Sequence, residues 1–289
     1  MLKRKFEFLI SIPILLVLVS YPILSTSSGA DLIQIRIWTE KNEYLTREPI
    51  IVNYAVKNIA DRTVRLNFLA LSMYFDIKDQ DGKGYANKLY LSFGFAYPDS
   101  LEPGESYESG ENITDGYGVV FPGEYTCVLN NPSPEAKSNI ITIKVKDAKG
   151  DEKKALNLYL EAEKLKYTKD KDPKKRELGF LKYQELADKY PRSVYAPLSL
   201  ASARGVYRYS INLEERSKII PVCKRLIEQY PKSLYFMSAF TSLVEVYEIL
   251  KDKEGAIKTM KELIEKHPNT KISERAEYWL KQIEKWEFK

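Results

Sequence analysis

Three near-copies of one eight-residue phrase recur in the second half of this 289-residue chain. They run from Leu186 to Ser193, from Leu226 to Ser233 and from Leu263 to Thr270, each with a proline in sixth place. The prolines Pro191, Pro231 and Pro268 are 231 − 191 = 40 and 268 − 231 = 37 residues apart. A period of this length, carried on amphipathic helical sequence, marks a stacked helical repeat. Each unit of such a stack leaves an apolar face that only a neighbouring unit covers. The chain must therefore build an array in this half, and arrays of this kind present long surfaces to partners.

Residues 148–289 carry apolar side chains at a period near 3.6. Phe240, Leu243, Val244 and Tyr247 share one helix face, and Lys251, Asp252 and Lys253 interrupt it. A second helix carries Ala256, Met260 and Leu263. It stops at His267-Pro268, because proline removes a donor and restricts the residue before it. Phe240, Leu243, Val244, Tyr247, Ala256, Met260 and Pro268 take, in order, the places of the pattern W-x2-L-G-x2-Y, A-x3-F, P. This half resembles the tetratricopeptide repeat family, and its Tyr-Pro-x-Ser phrase resembles that of tetratricopeptide lipoproteins and scaffold proteins of bacterial envelopes.

The repeat ending at Pro231 follows the pattern through Leu200, Ala203, Arg204, Tyr207, Ile219 and Cys223, with three extra residues in its turn. Arg204 and Ile219 stand where small residues are expected. Gly179 and Tyr183 fit the second helix of the first repeat, whose first helix is expected near residues 153–167. Ser193, Ser233 and Thr270 are placed to cap the helices that follow, and residues 273–288 read as a capping helix. The resemblance implies a groove for a protein or peptide partner. Arg204, Tyr207 and Tyr247, on the first helices of their pairs, are its candidate partner-binding residues, although Tyr247 also fits a packing position.

Residues 31–147 switch to period two. Ile50, Val52, Tyr54 and Val56 alternate with Ile51, Asn53, Ala55 and Lys57. Turn signals at Asp81-Gly82, Pro103-Gly104 and Pro122-Gly123 separate such runs, which predicts an antiparallel sandwich of seven or more strands. The turn and strand patterns around Glu48-Pro49-Ile50, Pro103-Gly104-Glu105 and Pro122-Gly123-Glu124-Tyr125 resemble immunoglobulin-like domains of bacterial envelope proteins, without the antibody-type Cys-Trp-Cys core. The expected fold class is thus an immunoglobulin-like beta sandwich followed by a TPR-like helical repeat stack. Asp76, Asp79, Asp81 and Gly82 lack the spacing of a calcium loop and read as a tight turn.

The chain opens with Lys3, Arg4 and Lys5, then an apolar run from Phe8 to Val19, then small residues up to Ala30. That order is the pattern of a secretory signal peptide over residues 1–30, with cleavage near Ala30. An uncleaved anchor is the alternative, against which Pro13 and Pro22 weigh, since a span needs roughly 20 apolar residues. The expected location is secreted, periplasmic or cell-envelope.

Charge divides unevenly. Residues 31–147 hold 12 basic and 17 acidic side chains, a net of −5; residues 148–289 hold 30 and 22, a net of +8. The basic residues alternate with acids along helices, the arrangement of a solvated surface, so no nucleic-acid partner is expected.

Little points to chemistry. The one histidine, His267, takes the place of Tyr190 and Tyr230, so a packing role is expected. With a single histidine, a Ser-His-Asp triad and multi-histidine metal sites lack support, and no glycine-rich phosphate loop appears. The expected role is a non-catalytic interaction scaffold, with no cofactor. Two alternatives are sugar binding by sandwich aromatics such as Tyr90, Phe93, Phe95 and Tyr97, and a carboxylate-based hydrolase.

Overall fold

The computed structural model describes residues 32–65, 74–86, 98, 100–132, 135–166 and 172–287. Strands occupy the first half of the chain and helices the second. The signal-like segment, Tyr90, Phe93, Phe95, Tyr97 and a strand expected over residues 88–95 lie outside the described residues.

Three strands, β1 (Ile33–Trp38), β3 (Ile51–Asn58) and β8 (Ser106–Asn112), form one antiparallel sheet in the order β1-β3-β8. A second sheet runs β2-β11-β9-β5-β6, built from β2 (Glu43–Leu45), β5 (Tyr74–Asp79), β6 (Gly84–Tyr85), β9 (Gly123–Pro132) and β11 (Ile141–Lys146). The short β10 (Glu135–Lys137) pairs with β9, and β4 (Val64–Arg65) pairs with β7 (Ser100–Leu101). The period-two sequence explains the packing. Ile33, Ile35 and Ile37 of β1 and Val52, Tyr54 and Val56 of β3 share one core with Phe75, Ile77, Tyr125, Cys127 and Ile143 of the second sheet. Tyr54 meets Phe75 edge-on with ring centroids 6.4 Å apart, so the inner faces of the two sheets close on each other.

The second sheet departs from the all-antiparallel expectation. Glu43 and Leu45 lie parallel to Lys144 and Lys146. The chain leaves β1 in the first sheet and enters β2 in the other, alongside the last strand. Side-chain alternation fixes which face turns inward; it is silent on which strand becomes the neighbour. Strand β8 stops at Asn112, which accepts a hydrogen bond from Thr114 N–H and caps the short α1 (Ile113–Tyr117).

Eight further helices follow: α2 (Gly150–Lys166), α3 (Pro173–Lys189), α4 (Tyr195–Tyr207), α5 (Leu213–Ser217), α6 (Ile219–Gln229), α7 (Phe236–Leu250), α8 (Lys253–Lys266) and α9 (Lys271–Ile283). One apolar core runs through them from Ala155 to Ile283. The repeated phrase does the same work each time. Tyr190, Tyr230 and His267 end α3, α6 and α8 with φ, ψ of −129°, 57°; −129°, 52°; and −130°, 54°. Their N–H groups donate to the carbonyls of Leu186, Leu226 and Leu263, the leucines that open each phrase.

The three extra residues of the second repeat become α5, capped by the Asn212 side chain on Glu214 and Glu215 N–H. Of the three expected caps, Thr270 forms a capping box with Ser273 at α9. Ser193 instead receives the Tyr195 N–H at 3.1 Å. The Ser233 hydroxyl is shielded and has no hydrogen-bond partner among the described residues, because α7 starts two residues later than a cap at Ser233 requires. The two halves touch where Leu45 packs on the helical core and where the Tyr195 hydroxyl donates to the Thr46 carbonyl at 2.6 Å. Among the described residues no helix is long and apolar enough to cross a membrane.

Candidate functional site

α4 and α7 are the first helices of the second and third repeats, and all three predicted partner-binding residues lie on them. Their exposure corrects the expectation for two. Tyr207 is 1% exposed: its ring meets Phe180 at 5.1 Å, Arg176 and Lys218 flank it, and its hydroxyl donates to Glu177. Tyr247 is 6% exposed and its hydroxyl bonds Thr259 Oγ1 at 2.7 Å. Both are packing residues: Tyr247 turns toward α8 of its own pair, and Tyr207 toward α3 of the preceding pair. Burial and the Glu177 carboxylate push the Tyr207 phenol well above its ordinary range.

Arg204 differs. It is half-buried, and its Nε and Nη1 are shielded from water with no hydrogen-bond partner among the described residues. Burial lowers its pKa, and so does Arg208 one turn on. Arg208 shares that state only at its Nε; its Nη2 holds both oxygens of Glu245 on α7 at 3.0 and 2.9 Å. The carboxylate nearest to hand is thus already taken, and Arg204 is left with unused donors.

A second unused donor lies close enough for its ionisation to respond to Arg204. The Tyr235 hydroxyl, just before α7, is shielded and has no partner among the described residues. Burial first, then Asp115 and Tyr159, drive its pKa upward, with Arg204 opposing. Asp115, on α1 of the strand-rich half, is solvent-accessible, yet surrounding protein and the Glu163 carboxylate raise its pKa. Tyr235 occupies the same repeat position as Tyr195, four residues after the phrase proline. Tyr195 spends its hydroxyl on Thr46; Tyr235 has nothing to spend its own on. Extending the repeated phrase by two residues, to Pro-x-Ser-x-Tyr, would have pointed to Tyr235 from sequence. Two exposed apolar side chains, Tyr209 and Ile249, also share a repeat position, each two residues past the buried tyrosines.

Asp79 and the two cysteines are engaged in structure. Asp79 accepts from Asp81 and Lys83 N–H and from the Tyr85 hydroxyl, closing the β5–β6 turn at Gly82 with φ 77°. Cys127 and Cys223 are free and fully buried, and burial pushes both thiols up to about 12. The thiolate is the reactive form. Neither cysteine should therefore label with iodoacetamide at pH 8 in the folded protein, while both should in denaturant. Mass spectrometry checks this, and rapid labelling of the folded chain would show that these strands or helices open.

Residues 242–270 match the tetratricopeptide repeat family model. The match begins within α7 and ends at Thr270, so it covers the later part of α7, all of α8 and the closing phrase. No curated protein matches the chain. Solved structures share it weakly. A mutant beta-glucosidase from Listeria innocua, in complex with laminaribiose, is 14% identical over 39% of this chain and 16% of its own, with a TM-score of 0.24. The sporulation control protein Spo0M from Bacillus subtilis is 15% identical over 46% of this chain and 55% of its own, with a TM-score of 0.26. A putative lipoprotein from Bacillus subtilis, ycdA, is 14% identical over 77% of this chain and 85% of its own, with a TM-score of 0.25. The chain spans less than two thirds of the first two, and TM-scores this low carry no functional argument.

Proposed function

We propose that this protein is a non-catalytic scaffold of the secreted or envelope compartment, whose helical array binds a protein partner. The observation that carries the reading is the pair of unused donors, Arg204 and Tyr235, in a helical array of which residues 242–270 match the tetratricopeptide repeat. A shielded donor without an acceptor costs about 1–3 kcal/mol. A partner's carbonyl or carboxylate oxygen, admitted as the side chains covering the two donors move aside, relieves that cost, while Tyr209 and Ile249 supply apolar contact at the rim. Compartment rests on the basic start, apolar run and small residues that precede Asp31.

The strand-rich half is read as an immunoglobulin-like domain that positions the array. Its support is the order β11-β9-β5 opposite β1-β3-β8, together with the Tyr125 hydroxyl donating to the Phe121 carbonyl at 2.8 Å, two residues before Cys127. That back-bond resembles the tyrosine corner of such domains. Asp115 and the Thr46–Tyr195 bond belong to the same side of the reading, since they bring the sandwich to the helices.

Affinity capture from the native envelope fraction tests the groove, with the full chain and an Arg204→Ala, Tyr235→Phe variant as baits. Tyr235→Phe removes only the hydroxyl, and Arg204→Ala removes a cation with no ion-pair partner among the described residues, so the fold is kept. The variant should retain roughly tenfold less partner, the loss of about 1.4 kcal/mol. Equal retention of the same partner by both baits would sink the assignment of this face.

A further inference from the structure

The turn between α4 and α5 carries its side chains the wrong way round for a water-facing loop. Tyr209, Ile211 and Leu213 are 78%, 98% and 50% exposed. The polar residues that alternate with them are spent on the fold. Ser210 Oγ donates to Glu215 at 2.6 Å, and Asn212 Oδ1 accepts from Glu214 and Glu215 N–H at 2.9 and 3.3 Å. Ser210 N–H also donates to the Tyr207 carbonyl at 3.0 Å, and Asn212 N–H to Ser210 Oγ at 3.2 Å. The turn is thus fixed from within and holds its apolar side chains out in water. An isoleucine so placed forgoes its whole burial energy, and clustered exposed apolar side chains mark contact with a protein or a membrane.

Shape and charge select between these two. Ile211 stands clear of the protein, as its exposure requires, so the turn is a knob and not a groove. A bilayer surface yields to a knob of any outline and takes tyrosine at headgroup level. The cations are in place. Arg208 lies over the Tyr209 ring, 5.3 Å from its centroid. Arg176 Nη2 meets Glu215 Oε1 at 2.5 Å, which joins the start of α3 to α5. Residues 172–180 and 204–218, so joined, hold seven basic and four acidic side chains. Glu245, which pairs with Arg208, brings the balance to +2. Lys218 is held by Glu177, while Arg216 is in no ion pair among the described residues. Such an excess favours anionic headgroups.

We propose that this turn inserts Ile211 and Leu213 into the surface of an anionic lipid bilayer, with Tyr209 at headgroup level and Arg208 and Arg216 against the phosphates. Tyr209 also borders the helical face, so an array docked this way presents that face beside the membrane.

The test places an environment-sensitive nitrobenzoxadiazole label on Ile211→Cys in the full chain, both native cysteines being buried. A second protein carries the label on Ile140→Cys, 67% exposed in the strand-rich half. Each meets vesicles of phosphatidylcholine alone or mixed equally with phosphatidylglycerol, with a quencher on the acyl chains. The label at 211 should brighten in the mixed vesicles and be quenched by the acyl chains, and should stay in water with phosphatidylcholine alone. The label at 140 should stay in water with both. Tethering by the apolar run before Asp31 would leave both labels in water, so it does not mimic insertion. Leu213→Asn and Arg216→Glu should each lower the ratio of inserted to exposed label roughly tenfold, as expected of one lost apolar side chain or one reversed charge at a bilayer surface. Leu213 is half exposed and Arg216 has no ion pair among the described residues, so the fold tolerates both exchanges. A label at 211 that stays in water with the mixed vesicles, an equal response to phosphatidylcholine alone, or indifference to both exchanges would each overturn the proposal. So would a label that ignores vesicles and is buried when envelope proteins are added, which would assign the knob to a protein pocket.

Discussion

Replacing Phe240 by alanine should lower the stability of the helical half by about 3–5 kcal/mol, the cost of truncating a fully buried phenylalanine. Phe240 is fully buried, leads the face of α7 and packs edge-on against Phe236 at 5.2 Å. Its neighbours Leu243, Val244, Ala256 and Met260 are buried in the same core. That core has no break between α2 and α9, and in a stack each repeat is held by its neighbours. The cavity should therefore weaken the whole array and not α7 alone. Urea denaturation followed by far-UV circular dichroism measures the effect. Met237→Ala, three residues earlier and 43% exposed, is the control and should change stability by less than about 0.5 kcal/mol. A loss at Phe240 near that of the control would mean that the third repeat is not packed on the others.

The helices were legible because their signals are local. Beyond the first turn proline cannot continue a helix, so three in-phase prolines after long apolar-periodic runs located three helix ends, and the structure gives those ends one shared backbone geometry. Phe240, Leu243, Met260 and Cys223 are buried where the repeat phase places them. The same phase misled for Tyr207 and Tyr247. Belonging to the first helix of a pair does not say which side of that helix faces the groove, and both tyrosines follow the pattern's packing position inward.

Arg204 was conspicuous as a large cation where the pattern wants a small residue. Its lack of a partner was not legible, since that depends on Arg208 taking both oxygens of Glu245. The strands were legible as inward and outward faces. Their neighbours were not: the parallel step of β2 beside β11 joins residues about 100 positions apart, and nothing local encodes it.

One polar residue joins the parts of the first half that alternation cannot specify, and it carries the other large prediction. Asn58 ends β3 and is fully buried. Its Nδ2 donates to the carbonyls of Arg62 at 2.8 Å and Leu101 at 2.9 Å, and its Oδ1 accepts from Ala60 N–H at 2.9 Å. Its own N–H donates to Glu105 at 2.9 Å and its carbonyl accepts from Gly104 at 3.1 Å. The turn after β3, strand β7 and the turn before β8 are thus held by one side chain and its backbone.

Asn58→Ala leaves the buried Leu101 carbonyl and the Ala60 N–H unpaired, at about 1–3 kcal/mol each. With partial relaxation, the expected loss is about 2–4 kcal/mol, with faster hydrogen exchange at β3 and β8. Asn58→Asp should be worse at neutral pH, because it sets an ionised carboxylate against two carbonyls. Burial without a cation raises the folded pKa of that aspartate above its unfolded value, so the folded state binds the extra proton. Protonation restores one donor, and the stability of Asn58→Asp should recover as pH falls through the raised pKa, relative to Asn58→Ala measured alongside. Urea denaturation of both variants between neutral and mildly acidic pH is the measurement. Parallel pH profiles would show that this side chain is not the buried link between these turns.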